Sequence, residues 1–428
     1  MASSTSTPLS TALPLDNINK DGDTSGYITN DDDVISVDLP LEISDTDGDT
    51  SNIDITVNLK DGQDPSFGDN TDIAEINETD DIQTAKGSIE FDEGSDQVDE
   101  IVFDPNQPSL TGITSNGEAT HIDTAALAND PSTLTLLDVD NNPVMSVTID
   151  ADGNYTVTQY QPIDQDDSNI TNIALNVTGT DDDGDTANGT INIVINDGDN
   201  AADVSDEVTI GEGDLDNPDN SEGSAHPSYP VSGSSSMTIE SPSDDLVNTS
   251  LTIDETVKEA LKAELNSEVT TNGGDKVTFE VSTDPTTGII TITGVDSNDN
   301  QVLDITMTPT MGANGDVVVT TNVNQYQPLD NNDGTGDSNG YIANNGDVIS
   351  VDIPMEISDT DGDTSNIYIT VNLEDGQDPS FGDNTDIAEI NETDDIQTAN
   401  GSIEFDQGSD YVDQIVFDPN QPSHWHHQ

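Results

Sequence analysis

Three short acidic turns contain the residues of this chain that are best suited to bind a metal ion. They read Asp-Thr-Asp-Gly-Asp-Thr at 45–50 and 359–364, and Asp-Asp-Asp-Gly-Asp-Thr at 181–186. The candidate ligands are the carboxylates at alternate positions, namely Asp45, Asp47, Asp49, Asp181, Asp183, Asp185, Asp359, Asp361 and Asp363. Side chains two apart in a turning backbone can converge on one point, and glycine permits the sharp bend. Because converging carboxylates repel one another, a hard cation is expected among them, and Ca²⁺ accepts several oxygen ligands in flexible geometry.

A solvated Asp/Gly turn without a metal is the alternative interpretation of any single copy. The recurrence of the turn in three equivalent contexts favours calcium. A further acidic segment, Asp-Gly-Asp at 197–199, follows the turn at 181–186 and lies where one repeat ends. We therefore add Asp197 and Asp199 to the candidate calcium ligands, at a junction between repeats.

The charge of the chain restricts its possible partners. The net charge is −83 over 428 residues. The basic residues are all lysines, namely Lys20, Lys60, Lys86, Lys258, Lys262 and Lys276. A chain without a basic patch repels the phosphates of nucleic acids and anionic membrane surfaces. No apolar run is long enough to cross a bilayer, so we expect neither nucleic-acid binding nor membrane insertion.

The sequence also lacks the motifs of common catalytic sites. It has no cysteine, which excludes disulfides, thiolate zinc sites and cysteine nucleophiles. No Gly-x-Ser-x-Gly, P-loop or His-Glu-x-x-His pattern occurs. Carboxylate pairs are too numerous at this charge to single out a glycosidase pair. We predict that the protein is not an enzyme.

A long internal repeat organises the chain. Pro14–Ser109 recurs as Pro328–Ser423, an offset of 314 residues, with about four residues in five identical. Such a period indicates a tandem repeat protein. The match breaks abruptly at both ends, which predicts that the chain is part of a longer array.

A weaker similarity divides this period into modules. Each acidic turn is followed by one strand-like run and then by an Asp-Gly segment, at 61–65, 197–199 and 375–379. We therefore predict a partial C-terminal part of a repeat at 1–65 and a complete repeat at 66–199. A longer complete repeat is predicted at 200–379, and a partial N-terminal part of a repeat at 380–428.

Apolar residues alternate with polar residues on both sides of the acidic turns. Before the first turn they are Ile35, Val37, Leu39, Leu41 and Ile43, and after it Ile53, Ile55, Val57 and Leu59. A period of two predicts strands with one face in a core and the other in water. Short strands separated by Gly/Asn/Asp/Pro clusters are typical of a sandwich. The predicted fold is all-β, with tandem immunoglobulin-like or cadherin-like β-sandwich modules.

One segment of the longer repeat departs from the β pattern. Near 252–268, Val257, Leu261 and Leu265 have helical spacing, and Thr252 with Glu255 suggests a capping box. The same repeat contains a Pro/Ser/Gly-rich stretch at 217–236, expected to be a loop. The helix either covers a sheet edge or belongs to a ligand-binding elaboration.

The order of several motifs resembles a β-sandwich repeat of large type I-secreted bacterial adhesins of the repeats-in-toxin type. The matching motifs are Gly94–Asp96, Ile101–Pro108, Thr114–Gly117, Asp150–Thr156, Tyr160–Asp164 and Asp181–Thr186. The resemblance covers 66–199, the C-terminal third of the longer repeat and both partial ends. It implies a secreted protein on a bacterial cell surface, built from calcium-rigidified modules and used in attachment and biofilm formation.

Our leading hypothesis is that the chain is a structural extender segment of such an adhesin. Its expected binding partners are calcium ions and the neighbouring repeats of the same chain. The alternative is a calcium-dependent adhesin module at 200–379 that binds a host or biofilm glycan or peptide.

Overall fold

The computed structural model describes residues 26–417, with gaps at 32–33, 61, 69–71, 80, 166–168, 183, 213–229, 272–273, 332–339, 377–378, 382–387, 392–394, 407–411 and 413. The chain forms two compact units. The first contains Met1–Asp199 together with Pro242–Asp244, and the second contains Asn200–Ser241 and Asp245–Gln428.

A three-stranded antiparallel sheet begins the first unit. Its strands are β1 (Ile28–Asp31), β2 (Val34–Ser44) and β3 (Thr50–Lys60), in that order. The acidic turn at 45–49 joins β2 to β3, and Ser44 pairs with Thr50 at its base.

The complete module of the first unit is built from two larger sheets. Its elements are β4 (Ser66–Phe67), β5 (Ile73–Asn77), β6 (Gln83–Ser88), β7 (Phe91–Asp92), β8 (Val98–Phe103), β9 (Thr114–Ser115), β10 (Glu118–Ala119), β11 (His121–Ile122), α1 (Thr124–Asn129), β12 (Thr133–Leu137), β13 (Pro143–Ile149), β14 (Asn154–Gln159), β15 (Ile170–Asp181) and β16 (Thr186–Asn196). One sheet has the order β11-β12-β13-β14-β6 and the other β5-β16-β15-β8, with β5 parallel to β16. Apolar side chains from both sheets form one core, which includes Leu134, Val157, Leu175 and Ile193.

The second unit repeats this arrangement with a longer chain. Its elements are β17 (Val204–Gly211), β18 (Val231–Ile239), α2 (Glu255–Glu268), β19 (Thr270–Thr271), β20 (Asp275–Lys276), β21 (Thr278–Thr283), β22 (Ile290–Val295), β23 (Gln301–Met311), β24 (Val317–Gln325), β25 (Ile342–Asn344), β26 (Val348–Ser358), β27 (Thr364–Glu374), β28 (Ser380–Phe381) and β29 (Phe405–Asp406). The two main sheets are β18-β24-β23-β22-β21 and β17-β27-β26-β25, with β17 parallel to β27. Together with the first module, these sheets confirm the predicted all-β fold of tandem sandwich modules.

The predicted helix is present, but its start differs from the prediction. α2 begins at Glu255, and the Asp254 carboxylate caps it by accepting hydrogen bonds from the backbone N–H groups of Thr256 and Val257. The capping box was wrong, because Thr252 instead forms a β-bridge with Glu356. Leu261 and Leu265 are buried in the core of the unit. The helix contacts β21 and β25, the edge strands of the two sheets, so it covers their edges.

The loop predicted at 217–236 is partly a strand. Residues 231–236 belong to β18, which pairs along its whole length with β24. Residues 217–229 lie outside the described residues. The Ser-rich sequence of β18 pairs as a strand because alternate backbone groups find partners on β24, which overrides its weak β propensity.

Nearly identical repeat sequences differ in burial between the two units. The apolar faces of β26 and β27 are buried, with Met355 2% and Ile357 0% exposed. Their counterparts on β2, Leu41 and Ile43, are 47% and 69% exposed. The predicted strands are therefore present in both copies, but the predicted core contact forms only in the second unit among the described residues.

Candidate metal sites

The three acidic turns share one backbone geometry. In each, the first carboxylate accepts a hydrogen bond from the backbone N–H four residues later: Asp45 from Asp49 at 2.9 Å, Asp181 from Asp185 at 2.8 Å and Asp359 from Asp363 at 2.8 Å. Glycine in the turn has a φ of +100°, +105° or +110°, a conformation that other residues rarely adopt. The first carboxylate of each turn thus stabilises the turn itself, whether or not a metal is bound.

The first turn brings its three carboxylates together on the surface. Oxygen atoms of Asp45, Asp47 and Asp49 all lie within 4.8 Å of one another. The pKa of Asp45 is lowered, first by a shared hydrogen bond with the Asp47 side chain and then by the hydrogen bond that the backbone N–H of Asp49 donates. Because the group is exposed, water can solvate these charges, and a cation is not required to hold them together.

The second turn is described only in part, because Asp183 lies outside the described residues. Asp181 is buried at the end of β15, and Asp185 is half-buried. The convergence of these carboxylates with Asp183 stays a prediction.

The third turn has the same sequence as the first but a different environment. The segment 246–250 covers it: the Val247 N–H donates to the Ser358 carbonyl at 2.9 Å, and Leu246 bridges to Asp359. Burial, followed by a hydrogen bond with Asp361 and its charge, raises the pKa of Asp359 to about 7. Asp361 Oδ1 is buried without a hydrogen-bond partner among the described residues.

The carboxylate of Asp363 does not converge with those of Asp359 and Asp361. In the described part of the chain, these three residues do not form a group with all ligand atoms within 4.8 Å of one another. The turn therefore offers a close carboxylate pair, in contrast to the convergent triplet of the first turn.

A second kind of acidic cluster lies in the interior of the first unit. Carboxylate oxygens of Glu78, Asp197 and Asp244 lie within 4.8 Å of one another. Glu78 and Asp244 are each only 3% exposed, and Asp197 is half-buried. The three residues come from segments far apart in sequence: Glu78 follows β5, Asp197 follows β16, and Asp244 belongs to Pro242–Asp244.

The Glu78 side chain is held by a set of hydrogen-bond donors. Its Oε1 accepts from the Gln159 side-chain amide and from the Ile163 N–H at 2.7 Å, and its Oε2 accepts from the Gln165 side-chain amide at 2.9 Å. Burial nevertheless raises the pKa of Glu78, with a smaller contribution from the charge of Asp197, and against the lowering effect of these hydrogen bonds the pKa is about 7. The side-chain oxygens of Gln159 and Gln165 are buried without hydrogen-bond partners among the described residues.

Close packing fixes the backbone beside this cluster. Gly198 approaches Ser243 and the Glu78 carbonyl so closely that a side chain would not fit. The hydroxyl of Ser243 donates to the carbonyl of Asp199 at 3.4 Å. Asp199 itself is exposed and is not part of the carboxylate group, so of the two linker residues predicted as ligands only Asp197 reaches it.

The same elements recur elsewhere in the chain. In the second unit Glu212, which follows β17, is buried and accepts hydrogen bonds from the Gln325 side chain and the Leu329 N–H. At the earlier Asp-Gly segment, Gly62 packs against Ser95, whose hydroxyl accepts from the Gln63 N–H at 2.8 Å. The buried glutamate and the Gly–Ser contact therefore belong to the repeat, whereas among the described residues the interior group of three carboxylates is found only at Glu78.

The sequence analysis did not identify Glu78 and Asp244. A signal for Glu78 was available, because a glutamate directly follows β5 and β17, the equivalent strands of the two complete modules, and a glutamine precedes the Tyr-Gln-Pro motif in both. No comparable signal marks Asp244 among so many acidic residues, since only the fold brings it beside Asp197.

The donor set of the buried cluster fits a hard divalent cation. The two buried carboxylates and the half-buried Asp197 repel one another, and burying such charges is costly unless a counter-ion compensates them. Oxygen-only ligands suit calcium and not the softer transition metals. Glu78, Asp197 and Asp244 would hold the ion, which would supply the positive charge that this lysine-poor chain lacks.

No protein-family model and no curated protein sequence matches this chain. Among solved structures, Drosophila N-cadherin EC1-3 matches at 10% identity and a TM-score of 0.22, covering 84% of this chain and 88% of that one. Mouse cadherin-23 EC22-24 matches at 10% identity and a TM-score of 0.20, covering 82% and 83%. The sialic acid binding region of the Streptococcus sanguinis SK1 adhesin matches at 14% identity and a TM-score of 0.18, covering 64% and 54%.

These neighbours are extracellular β-sandwich domains of cadherins and an adhesin. With TM-scores near 0.2 they carry no functional weight, and the sandwich architecture rests on the sheets and cores described above. Within the described residues, no helix is both long and apolar enough to cross a membrane.

Proposed function

We propose that this chain is a calcium-stabilised structural segment of a large bacterial surface adhesin, secreted and used in attachment and biofilm formation. The observation that carries the calcium part is the buried group of Glu78, Asp197 and Asp244. Calcium bound by this group would have a structural and not a catalytic role. The adhesin part is supported by the tandem repeat and by the resemblance of its motifs to adhesin repeats.

Calcium at this cluster would cross-link the sandwich. Glu78 follows β5, Asp197 follows β16 and Asp244 lies in the segment 242–244. One ion would therefore tie together three segments, the first two of which are more than a hundred residues apart in sequence. Binding to the folded state alone stabilises that state by mass action. An ion that neutralises the buried carboxylates also removes the cost of ionising Glu78 near neutral pH.

The exposed triplet at Asp45, Asp47 and Asp49 is a second candidate ligand set, which we expect to bind more weakly. Water already screens the repulsion between these exposed carboxylates, so a bound ion relieves less repulsion there than at the buried cluster. The Asp359–Asp361 pair in the third turn and the carboxylates of the second turn, Asp181, Asp183 and Asp185, are the remaining candidates.

The calcium proposal is tested by calorimetry and thermal unfolding of the whole chain, in millimolar calcium and in chelator. We expect a higher melting temperature in calcium and tight binding that Asp197→Asn and Asp244→Asn both weaken. The matched control is Asp99→Asn, which removes an exposed carboxylate of β8 outside any cluster. A melting temperature that calcium does not change would contradict the proposal.

The structural role is tested separately by pulling the chain between its ends. A load-bearing segment should require a higher force to unfold its modules in calcium than in chelator, and Asp244→Asn should remove the difference for one module. Equal forces in both conditions would leave calcium binding without a mechanical role and would argue against an extender.

A further inference from the structure

A buried amide oxygen lies at the acidic cluster of the first unit without a hydrogen-bond partner. Gln165 is 7% exposed, and its Nε2 donates to Glu78 Oε2 at 2.9 Å. The oxygen of the same amide group, Oε1, is buried and accepts no hydrogen bond from the described residues. A buried acceptor without a donor is costly, so this oxygen is suited to a partner of another kind.

The three carboxylates leave part of the coordination of calcium to other oxygens. Ca²⁺ takes about six to eight oxygen ligands, and the carbonyl oxygens of amide side chains are among those it accepts. The two oxygens of Glu78 already accept three hydrogen bonds. A neutral oxygen would supply a further ligand without adding to the repulsion among Glu78, Asp197 and Asp244.

The amide of Gln165 can present either of its two ends to the cluster. Its terminal torsion is broad and roughly two-fold, and the surrounding hydrogen bonds decide which end faces a given neighbour. Beside a carboxylate alone the nitrogen end is favoured, because it donates to Glu78. Beside a cation the oxygen end is favoured, because it carries the partial negative charge of the amide.

We propose that Gln165 is a fourth ligand of the calcium ion at the Glu78 cluster, through its Oε1. The inference rests on the proposed function, because it concerns the same site. Without calcium, the Gln165 side chain holds Glu78 by donating to it. On calcium binding the amide turns over and its oxygen faces the ion.

The second unit has a shorter side chain at this position. Gln165 directly follows Asp164 of the Tyr-Gln-Pro-Ile-Asp motif, and Asn331 directly follows Asp330 of the equivalent motif. Neither the Nδ2 nor the Oδ1 of Asn331 has a hydrogen-bond partner among the described residues, so Asn331 does not replace the contact of Gln165 with the buried glutamate. Nor does Glu212 belong to a group of three carboxylates in the described part of the chain. The longer amide therefore accompanies the unit in which the carboxylates converge.

Gln159 is the other amide at the cluster, and its role differs. Its oxygen is also buried without a partner among the described residues. The equivalent Gln325 donates to Glu212 at 2.6 Å and has the same unpartnered oxygen. The amide at this position therefore accompanies the buried glutamate in both units, with or without converging carboxylates, which leaves Gln165 as the candidate ligand.

The substitution Gln165→Glu distinguishes a calcium ligand from a residue that only positions Glu78. A ligand would keep an oxygen and gain a charge, so calcium affinity should rise roughly tenfold, because the number of charged ligands sets the affinity of such sites. A positioning residue would lose its donor and repel Glu78, so affinity would fall. In chelator the same variant should lower the melting temperature of the first unit, since a fourth carboxylate joins the cluster.

Isothermal titration calorimetry of the full chain with calcium measures the affinity, taken from the binding component that Asp244→Asn removes. Gln165→Met has a similar length but no oxygen ligand, and should weaken this component roughly tenfold. The matched control is Gln161→Glu, which makes the same amide-to-carboxylate change beside Asp138, to which Gln161 donates at 3.1 Å outside the cluster. The control should leave the component unchanged.

Tighter binding by Gln165→Glu together with weaker binding by Gln165→Met supports the inference. It is overturned if Gln165→Glu binds more weakly, if Gln165→Met binds as tightly as the unaltered chain, or if Gln161→Glu raises the affinity equally. Circular dichroism verifies folding, and a Gln165→Glu chain that stays unfolded in millimolar calcium also overturns it, because the ion should compensate the added charge. These outcomes leave calcium at the cluster intact. If the unaltered chain has no component that Asp244→Asn removes, the proposed function fails together with the inference.

Discussion

Gly198 and Ser243 are packed so closely that a methyl group on Gly198 would lie 2.5 Å from the Cβ of Ser243. The same methyl group would lie 2.9 Å from the carbonyl oxygen of Glu78. Gly198 follows Asp197, and Ser243 precedes Asp244, so this contact helps to set the distance between two of the three carboxylates of the cluster. The glycine is needed for space, and its backbone conformation is an ordinary one.

We predict that Gly198→Ala destabilises the first unit by roughly 1–3 kcal/mol, the usual cost of forcing a methyl group into a packed site. Calcium affinity should fall as well, because Asp244 is displaced from Asp197. Denaturant unfolding and calorimetry measure the two effects. The control is Gly211→Ala, where the nearest atom to a new methyl group is a carboxylate oxygen at 3.8 Å; equal losses in both variants would contradict this explanation.

The pKa of Glu78 predicts how stability depends on pH in the absence of calcium. The folded-state pKa, about 7, lies above 4.5, the ordinary value of a glutamate, so the folded state holds its proton more tightly than the unfolded state. This contribution is fully present below pH 4.5 and is lost as pH rises through 7, with a total on the order of 3 kcal/mol.

Unfolding free energies in chelator should therefore fall between pH 5 and 8, and saturating calcium should reduce the fall. Asp197→Asn should make it shallower, because the charge of Asp197 contributes to the raised pKa. If the unfolding free energy of the first unit in chelator does not change between pH 5 and 8, Glu78 ionises in the folded state without an energetic cost.

The first and third acidic turns offer a matched pair of substitutions. Asp361→Asn removes the charge that helps to raise the pKa of Asp359, so in chelator above pH 7 it should stabilise the second unit. Asp47→Asn makes the same change in a turn of the same sequence that is fully exposed, where solvent screens the charges, and should have little effect. Urea unfolding at pH 8 measures both variants, and the prediction fails if Asp47→Asn stabilises the chain as much as Asp361→Asn does.

The helix α2 should be an integral part of the second sandwich. Leu261 has no exposed surface and packs in the core, so Leu261→Ala should cost about 2–5 kcal/mol. The exposed neighbour Glu259 provides the control Glu259→Ala, expected to be nearly neutral. Limited proteolysis with mass spectrometry can report on each unit separately. In Leu261→Ala only the second unit should become susceptible to the protease. If both units stay protected, the helix is dispensable for the stability of the second unit.

Much of the local structure could be predicted from the sequence. The alternation around each acidic turn identified the strands β2, β3, β26 and β27, because the period of a strand depends only on its own backbone. Helical spacing identified α2 for the same reason. Its first residue was missed, since Asp254 and Thr252 are both acceptable caps and the pairing of Thr252 with Glu356 decides between them.

Partners distant in sequence decided the rest. Ile73–Asn77 is a strand beside β16, whereas residues 388–391, with the same sequence as 74–77, have no strand pairing in the described part of the chain. Likewise, Leu41 and Met355 hold equivalent positions but differ in burial, because only the second lies beneath a complete sandwich. A carboxylate cluster depends on such long-range contacts entirely. The sequence alone determined where the acidic turns are, but only the tertiary structure brought Glu78, Asp197 and Asp244 together, because their separation is set by the packing of three segments and not by the spacing within any one of them.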